Sequence, residues 1–329
     1  MKSREFAAVI AFVIIATVIH ILITMHLINP YWELIIQYAC LITIAALGLN
    51  IIYGLNGQFS LGHIAFYGVG AYSAAMVTKG LQWDNPAGFV VAILLGGAVA
   101  ATVAFLIGLP ILRLRSDYLG IATLGFGIIV KVAFDNSDAL SPMFGGSRGM
   151  TGIPKLTSFP WVAAVTLLAV VLMRNLTYST HGRAILSIRE DEIAASAMGI
   201  NTTKYKTLAF VMGCVYAGVA GALYAHLYKF LHPSNFDFLK SIDMLLIVVL
   251  GGLGSISGTI IAALGWTFLL EGLRVMLPQE IMDTRFVIYP LMLILVMLLR
   301  PKGLFGGMEL PFLKPPKVEK RVRSVTTKS

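Results

Sequence analysis

The chain consists of long apolar runs separated by short polar stretches. A membrane-spanning helix needs about 20 consecutive, mostly apolar residues. Ten runs approach this length, although the eighth is short and only a brief break separates the second from the third. They predict an all-α polytopic membrane protein with spans at 6–28, 32–53, 61–79, 87–112, 117–137, 158–174, 204–228, 240–254, 257–277 and 284–300.

The composition supports a membrane protein. Only 12% of the residues are charged, whereas about 25% is usual in soluble domains, and the mean hydropathy is +0.83. We predict one transmembrane domain over residues 1–307, followed by a basic tail over 308–329 whose proline and charge indicate disorder. Cys40 and Cys214 lie in apolar runs, so we interpret them as core residues, not as a disulfide or a metal site.

The lysines and arginines predict the orientation in the bilayer. With the N-terminus in the cytoplasm, the inside segments hold 17 of them and the outside segments six. Cytoplasmic loops of membrane proteins carry such an excess of positive charge, so ten spans with both termini inside are predicted. The net charge of +9 is thereby explained without nucleic acid, and no aromatic and basic platform for nucleic acid accompanies it.

Two stretches interrupt apolar runs with glycine. "GLNGQFSLGHIAFYGVGAY" starts at residue 54 and "GGLGSISGTIIAALG" starts at residue 251, and both read G-x-x-G-x-x-S with another Gly close behind. They predict breaks in helices on the cytoplasmic side, explained either by turns and close helix packing or by lining of a transport pathway. The residues concerned are Gly54, Gly57, Ser60, Gly62, Gly251, Gly254, Ser257 and Gly258.

Charged residues within the spans are few. Lys131 and Asp135 share one helix face, as do Glu271 and Arg274, so each pair can interact locally. Both pairs lie toward the outer ends of their spans, where side chains reach the interface. The sequence contains neither a Walker A pattern nor H-E-x-x-H, and "GGSRG" at 145–149, which matches G-x-S-x-G, lies in a predicted outside loop without the strand and helix of a nucleophile elbow. The chain is therefore predicted not to be an enzyme, and any ATP hydrolysis belongs to another chain.

One polar loop, "SIREDEIAASAMGIN" at 187–201, has the pattern of a short helix. Ser187 and Glu190 fit a capping box, and Gly199 suits the position just past a helix end. The loop therefore predicts one helix over residues 188–198.

This helix is too short to be stable alone in water, so it needs a surface. Its apolar stripe consists of Ile193, Ala197 and Ile200. The surface is either the cytoplasmic face of the protein itself, the lipid interface, or a partner protein.

Seven stretches in order carry a family resemblance: the two glycine stretches, "YLGIATLGFGII", "SRGMTGIP", the polar loop, "GVAGALYA" and "RPKGLFG". Over residues 32 to 307 the chain resembles the M-type permease subunit of branched-chain amino-acid ABC importers. Permeases for urea and short amides are closely similar, so both substrate classes stay open. The alternative from a different class is a stand-alone secondary carrier, which needs coupling-ion ligands in mid-membrane that the sequence does not contain.

The resemblance implies partners and a location. It implies a bacterial cytoplasmic (inner) membrane, a second H-type permease, two cytoplasmic ATPases that bind ATP, and a periplasmic or lipid-anchored substrate-binding protein. It implies no cofactor in this chain. Permeases of this family contact the ATPase through a coupling helix with a Glu-Ala-Ala…Gly pattern, and the positions here that stand closest to it are Glu192, Ala194, Ala195 and Gly199, with Ile193 interrupting the Glu-Ala-Ala order. The resemblance implies the coupling role for 189–199, and its candidate residues are Arg189, Glu190, Asp191, Glu192, Ala194, Ala195 and Gly199.

Overall fold

The structure, a computed structural model, describes residues 3–112, 114, 116–276, 291, 294–295, 298–299, 303–306, 309–310 and 313. Within these residues the regular elements are helices, accompanied by one isolated antiparallel bridge between Met150 and Leu231. The α-helices are α1 Ser3–Thr24, α2 Pro30–Leu49, α3 His63–Leu81, α4 Pro86–Ile111, α5 Ser116–Asp135, α6 Phe159–Tyr178, α7 Thr180–Glu190, α8 Glu192–Ala197, α9 Thr202–Tyr228, α10 Phe238–Gly251 and α11 Ile256–Met276.

The first nine predicted spans each overlap one helix. The tenth, 284–300, lies mostly outside the described residues, so the total of ten and the cytoplasmic location of both termini stay predictions. Six helical segments of the described chain are long and apolar enough to cross a membrane: Pro30–Leu55, Pro86–Ile111, Tyr118–Asp135, Phe159–Tyr178, Thr202–Tyr228 and Ile256–Val275.

Asn-Pro pairs start two of the long helices. The side chain of Asn29 accepts the backbone N–H of Tyr31 at 3.0 Å, and Asn85 accepts that of Gly88 at 2.7 Å. In both cases proline occupies the first helical position, where its missing N–H costs no hydrogen bond. Local sequence therefore fixes where α2 and α4 begin.

The core lies where α2, α3, α4 and α9 meet, and small residues let these helices approach closely. A Cβ atom at Gly48 would lie 2.5 Å from the carbonyl oxygen of Gly213, and one at Gly96 would lie 2.9 Å from that of Gly70. Real Cβ atoms do not approach so closely, so glycine is required at these crossings. Fully buried alanines complete the α3 side of the interface: Ala71, Ala74 and Ala75.

The break predicted between α2 and α3 is present. A π-helical turn, Asn50–Leu55, ends α2, and residues 56–62 then run back along it. The ring nitrogen Nε2 of His63 lies 2.9 Å from the carbonyl oxygen of Ala45, roughly 15 Å of helix above the end of the π-helical turn. α3 therefore begins beside the last turns of α2, inside the bundle.

α10 also begins inside the bundle, close to the start of α3. The hydroxyl of Ser241, in the first turn of α10, accepts the backbone N–H of Ile64 at 3.3 Å. With 14 residues, α10 is shorter than the roughly 20 residues of a full span. The N-terminal ends of these two helices thus meet within the protein.

A segment near the C-terminus covers the break between α10 and α11. The carboxylate of Glu309 accepts the backbone N–H groups of Ile256 and Ser257, the second at 3.1 Å. The N–H of Leu304 donates to the carbonyl of Leu250 at 2.8 Å. The N-terminus of α11 is therefore capped by a side chain more than 50 positions later in the chain.

Candidate functional site: a glycine junction and the helical loop linked to it

The two glycine-broken segments are joined by the side chain of Asn50, which is fully buried. Its amide nitrogen donates to the carbonyl of Ser255 and to the hydroxyl of Thr259, both at 3.0 Å. Its amide oxygen accepts the backbone N–H of Gly254 at 2.9 Å. One side chain thus connects residues that lie about 205 positions apart in the sequence.

Glycine allows the two backbones to come together at this point. A Cβ atom at Gly54 would lie 2.6 Å from the backbone nitrogen of Gly254. Gly254 also has φ of +83°, a conformation that glycine adopts without steric cost. We define the glycine junction as residues Asn50–Gly54 together with Gly254–Thr259.

Arg189 links the polar loop to the glycine junction. Its guanidinium donates a hydrogen bond to the carbonyl of Gly54. The guanidinium also lies against Gly254, where an added Cβ would be 3.1 Å from Nη1 of Arg189. The Cγ atom of Arg189 lies against Gly57, where an added Cβ would also be 3.1 Å away. Arg189 therefore contacts both glycine segments, an arrangement that no local sequence pattern shows.

The polar loop folds as two helices, so the prediction of a single helix over 188–198 is wrong. α7 ends at Glu190, the backbone is extended at Asp191 with φ −158° and ψ 108°, and α8 begins at the next residue. The loop therefore turns sharply within its most acidic stretch.

The predicted capping box at Ser187 and Glu190 is also wrong, because a helix has already begun upstream. Ser179 caps α7 by accepting the backbone N–H of Gly182 at 3.0 Å, so Ser187 lies inside a helix and its hydroxyl donates to a carbonyl of the preceding turn. The second helix is capped by Asp191, whose carboxylate accepts two backbone N–H groups at 2.9 and 3.0 Å.

The residues predicted to couple to an ATPase fall into two groups. Arg189 faces the glycine junction, and the side chain of Ala195 is buried. Glu192 forms an ion pair with Lys206 of α9 while half of its side chain stays exposed. All of these positions except Ala195 are exposed: Arg189, Glu190, Asp191, Glu192, Ala194 and Gly199. Gly199 has φ of +84° just past the end of α8, as its position in the sequence predicted.

Two large apolar side chains stand out from this loop. Ile193 and Met198 are each 83% exposed, so the described residues leave this part of the loop uncovered. Ile193 belongs to the predicted apolar stripe, whereas sequence reasoning missed Met198 because it lies outside the helical periodicity. Exposed apolar residues that cluster on a polar surface are typical of interaction sites.

The other residues of the two glycine patterns make packing contacts away from Arg189. Gly62 lies against the backbone of α5, and Gly251 and Gly258 lie against each other. Ser257 bonds the carboxylate that caps α11. Ser60 is buried, and its hydroxyl has no hydrogen-bond partner among the described residues. A pathway role for these residues stays a prediction.

Together these features define the class of the protein: it is a multi-pass helical membrane protein. Among the described residues, no group of three His, Cys, Asp or Glu side chains is placed to hold a metal ion. The chain belongs to the family described as branched-chain amino acid transport system / permease component, which matches residues 31–299.

Curated relatives support this assignment. The chain is 35% identical to the high-affinity branched-chain amino acid transport system permease protein LivM of Salmonella typhimurium, over 83% of this chain and 68% of the relative. It is 34% identical to LivM of Escherichia coli, with the same coverage. It is also 28% identical to the permease protein LivH of Escherichia coli, over 80% of this chain and 91% of the relative. No solved structure matches the chain.

Proposed function

We propose that the chain is a permease subunit of a binding-protein-dependent ABC importer for branched-chain amino acids in the bacterial inner membrane. A second, H-type permease completes the pathway, two ATPases drive it, and a periplasmic or lipid-anchored binding protein delivers the substrate. Similarity to both LivM and LivH supports pairing with a related permease. The observation that carries the proposal is the exposed helix α8 together with the hydrogen bond that joins Arg189, at the end of α7, to the glycine junction.

α8 and its flanks have the features of a docking surface. Ile193 and Met198 are exposed, and burying such a side chain contributes about 1.5–3 kcal/mol. The exposed carboxylates of Glu190 and Asp191 lie beside them, so the proposed partner surface is an apolar pocket with a basic rim. This chain has no nucleotide-binding motif, so the energy for transport must reach it through such a contact.

Arg189 provides a route from this surface into the membrane domain. A displacement of α7 and α8 moves its guanidinium, which is bonded to the end of α2 at Gly54 and lies against Gly254 before α11. A cavity of about 680 Å³ is lined both by Asn56–Gln58 and by Ile188–Glu192, so the loop has room to shift beside the contact of Arg189 with Gly57. The side-chain amide of Asn56, which lines this cavity, has no hydrogen-bond partner among the described residues.

The docking contact is tested by co-purification. The chain is expressed with the ATPases and the second permease that its gene neighbourhood supplies, and Ile193→Asp and Met198→Asp are introduced together. Because both changes place a charge where an apolar pocket is proposed, the ATPase recovered with the permease is expected to fall at least about tenfold.

Leu140 provides the matched control, because it is 84% exposed in a loop predicted to lie on the opposite side of the membrane. Leu140→Asp is expected to leave the recovered ATPase unchanged. Undiminished recovery of ATPase together with unchanged uptake in the double variant contradicts the proposal.

The substrate is identified by the binding protein encoded beside this chain. Binding of leucine, isoleucine or valine to that protein supports the proposal, whereas binding of urea or a short amide favours the related permeases for those substrates. A stand-alone carrier is tested separately, since its uptake continues when ATP is depleted and the ion gradient is maintained.

A further inference from the structure

A second site lies on the half of the bundle opposite to the glycine junction. A cavity of about 270 Å³ is lined mainly by residues of α2, α3, α9, α10 and α11, and we call it the tyrosine cavity. Its volume falls just below the range of about 300–1,000 Å³ that holds drug-sized ligands, so it suits a small metabolite. Its residues on α11 belong to a helix that also contributes to the glycine junction, and its residues on α2 precede the π-helical turn that contains Asn50 and Gly54.

One end of the tyrosine cavity carries both signs of charge. Lys240 Nζ lies 3.6 Å from Asp243 Oδ2, and Arg274 Nη1 lies 3.5 Å from Glu271 Oε2. Both separations exceed the usual 2.7–3.2 Å of an N–H···O hydrogen bond. Glu271 Oε2 also accepts a hydrogen bond from the hydroxyl of Tyr31 at 3.1 Å. The remaining donor and acceptor positions of the four side chains can bind a ligand, and the four charges sum to zero.

The wall next to these charges is aromatic and contains an unused hydroxyl. Tyr38, Tyr67, Tyr224 and Tyr228 form a cluster whose neighbouring ring centroids lie 4.7 to 6.2 Å apart. Tyr67 is only 3% exposed, and its hydroxyl has no hydrogen-bond partner among the described residues. A buried polar group without a partner is costly, so this hydroxyl is available to a ligand or to water.

Besides Asn235, Trp266 and Thr267, the rest of the lining is aliphatic. The residues that form it come from all the enclosing helices except α9, and they are Ile42, Ile64, Met244, Ile247 and Leu270. Apolar side chains of this kind favour a ligand with a hydrocarbon portion of its own. The cavity thus has a dipolar charged end and a hydrocarbon wall joined by tyrosines.

We propose that the tyrosine cavity is a transit site for a zwitterionic α-amino acid with a branched aliphatic side chain. The ligand carboxylate is placed at Arg274 and Lys240, the ammonium group at Glu271 and Asp243, and the hydrocarbon side chain toward Met244. The assignment of the substrate class rests on the proposed function. It also separates branched-chain amino acids from urea, which has neither charges of both signs nor a hydrocarbon chain.

Direct binding measures this site without the binding protein. The full chain and its partner permease are placed in lipid nanodiscs, and binding of tritiated L-leucine is followed by scintillation proximity. Leucine is expected to bind saturably, and valine and isoleucine to compete. Leucinamide, 4-methylpentanoate and urea each lack part of the recognised pattern, so each is expected to compete at least about tenfold more weakly.

Variants locate the binding. Arg274→Gln and Glu271→Gln are each expected to weaken leucine binding at least about tenfold, because each removes one charge that faces the ligand. Met244→Trp fills the aliphatic wall and is expected to abolish binding. Arg148→Gln is the matched control, because it removes an exposed arginine in a predicted outer loop away from the cavity.

Folding of each variant is checked by gel filtration. Tyr67→Phe is a further, conservative variant, because it removes a single oxygen from the cavity. Its binding is expected to weaken about threefold or more. Absence of leucine binding in the wild type overturns the proposal. Leucine binding that is unchanged in all three of Arg274→Gln, Met244→Trp and Tyr67→Phe overturns it as well. So does competition by urea that is as strong as competition by valine.

Uptake by the assembled importer tests the transit site and the proposed function separately. ATP-driven leucine uptake in proteoliposomes without any binding in nanodiscs overturns the transit site and leaves the proposed function standing. Failure of the assembled wild type to import any branched-chain amino acid overturns the proposed function, and the substrate assigned to the cavity falls with it.

Discussion

The glycine junction and the tyrosine cavity both involve α11 and the segment that runs from α2 into its π-helical turn, and they differ in how their polar groups are used. In the junction, the amide of Asn50 bonds three groups at 2.9 to 3.0 Å. In the cavity, the hydroxyl of Tyr67 has no partner among the described residues. A close-packed, fully bonded contact transmits a displacement, whereas open donors and acceptors bind a ligand. The same helices therefore combine a mechanical link at one end with a recognition surface at the other.

The largest loss of stability is expected when a Cβ atom is added between the two backbones of the glycine junction. In Gly54→Ala the new Cβ meets the backbone of Gly254, which cannot rotate away, so the glycine segments must separate. We expect a loss of about 3 kcal/mol or more in the free energy of unfolding, measured by thermal denaturation of the solubilised protein.

The control for this change is Gly265→Ala in α11. A Cβ at Gly265 meets no atom of the described structure within 4 Å, and alanine is the better helix former. The melting temperature is expected to stay constant or to rise. Equal losses in the two variants would show that the close approach at Gly54 is not essential.

Removing the bonded amide is expected to have the next largest effect. Asn50→Ala leaves the buried N–H of Gly254 without its acceptor, at a cost of about 2–4 kcal/mol together with the other lost bonds. The same thermal denaturation measures it. Asn136→Ala removes an exposed amide of the same type and is expected to change stability by less than about 0.5 kcal/mol.

Arg189→Gln tests whether the glycine junction transmits a displacement of α7 and α8 to the membrane domain. The change removes the charged bond to Gly54, so substrate uptake is expected to fall about tenfold while ATPase still co-purifies. Arg183→Gln is the control, because Arg183 is exposed on the same helix and its guanidinium donates to the carbonyl of Tyr178 at the end of α6. Loss of ATPase binding in Arg189→Gln would assign Arg189 to docking and not to transmission.

The smallest effect is expected from the unused hydroxyl in the tyrosine cavity. Tyr67→Phe removes an oxygen that has no partner among the described residues, so stability is expected to stay constant or to rise. Tyr216→Phe removes a hydroxyl that donates to the carbonyl of Ala169 at 2.9 Å, and it is expected to cost about 1 kcal/mol. A similar loss of stability in both variants would remove the contrast between paired and unpaired groups.

Local signals predicted much of the helical architecture. The glycine-rich interruption after Asn50 acts through neighbouring residues, so the sequence reveals it. The Asn-Pro pairs before α2 and α4 are local signals of the same kind, but the spans were predicted without them. The polar loop shows the limit of this reasoning, since Ser179 and Asp191 take the capping positions that the pattern gave to Ser187. Where a helix begins upstream decides which downstream cap is used, and the local pattern does not contain that information.

Contacts between distant segments could not be predicted in this way. The spacing of Lys131 and Asp135 allows a pair along their own helix, but Nζ of Lys131 lies 3.9 Å from Oδ1 of Asp237, which precedes α10. Glu271 and Arg274 do pair as their spacing predicted, yet the sequence did not show that residues of four other helices surround them. A site assembled from five helices becomes visible only when their packing is known.

The cap that Glu309 provides for α11 has a consequence for biosynthesis. The amide groups of Ile256 and Ser257 are made more than 50 residues before the carboxylate that satisfies them. On the ribosome, α11 therefore enters the membrane with its first turn uncapped, and the break between α10 and α11 gains these two bonds only after residue 309 has been made. Translation that stops before residue 309 would leave the first turn of α11, which contributes to the glycine junction, without this cap.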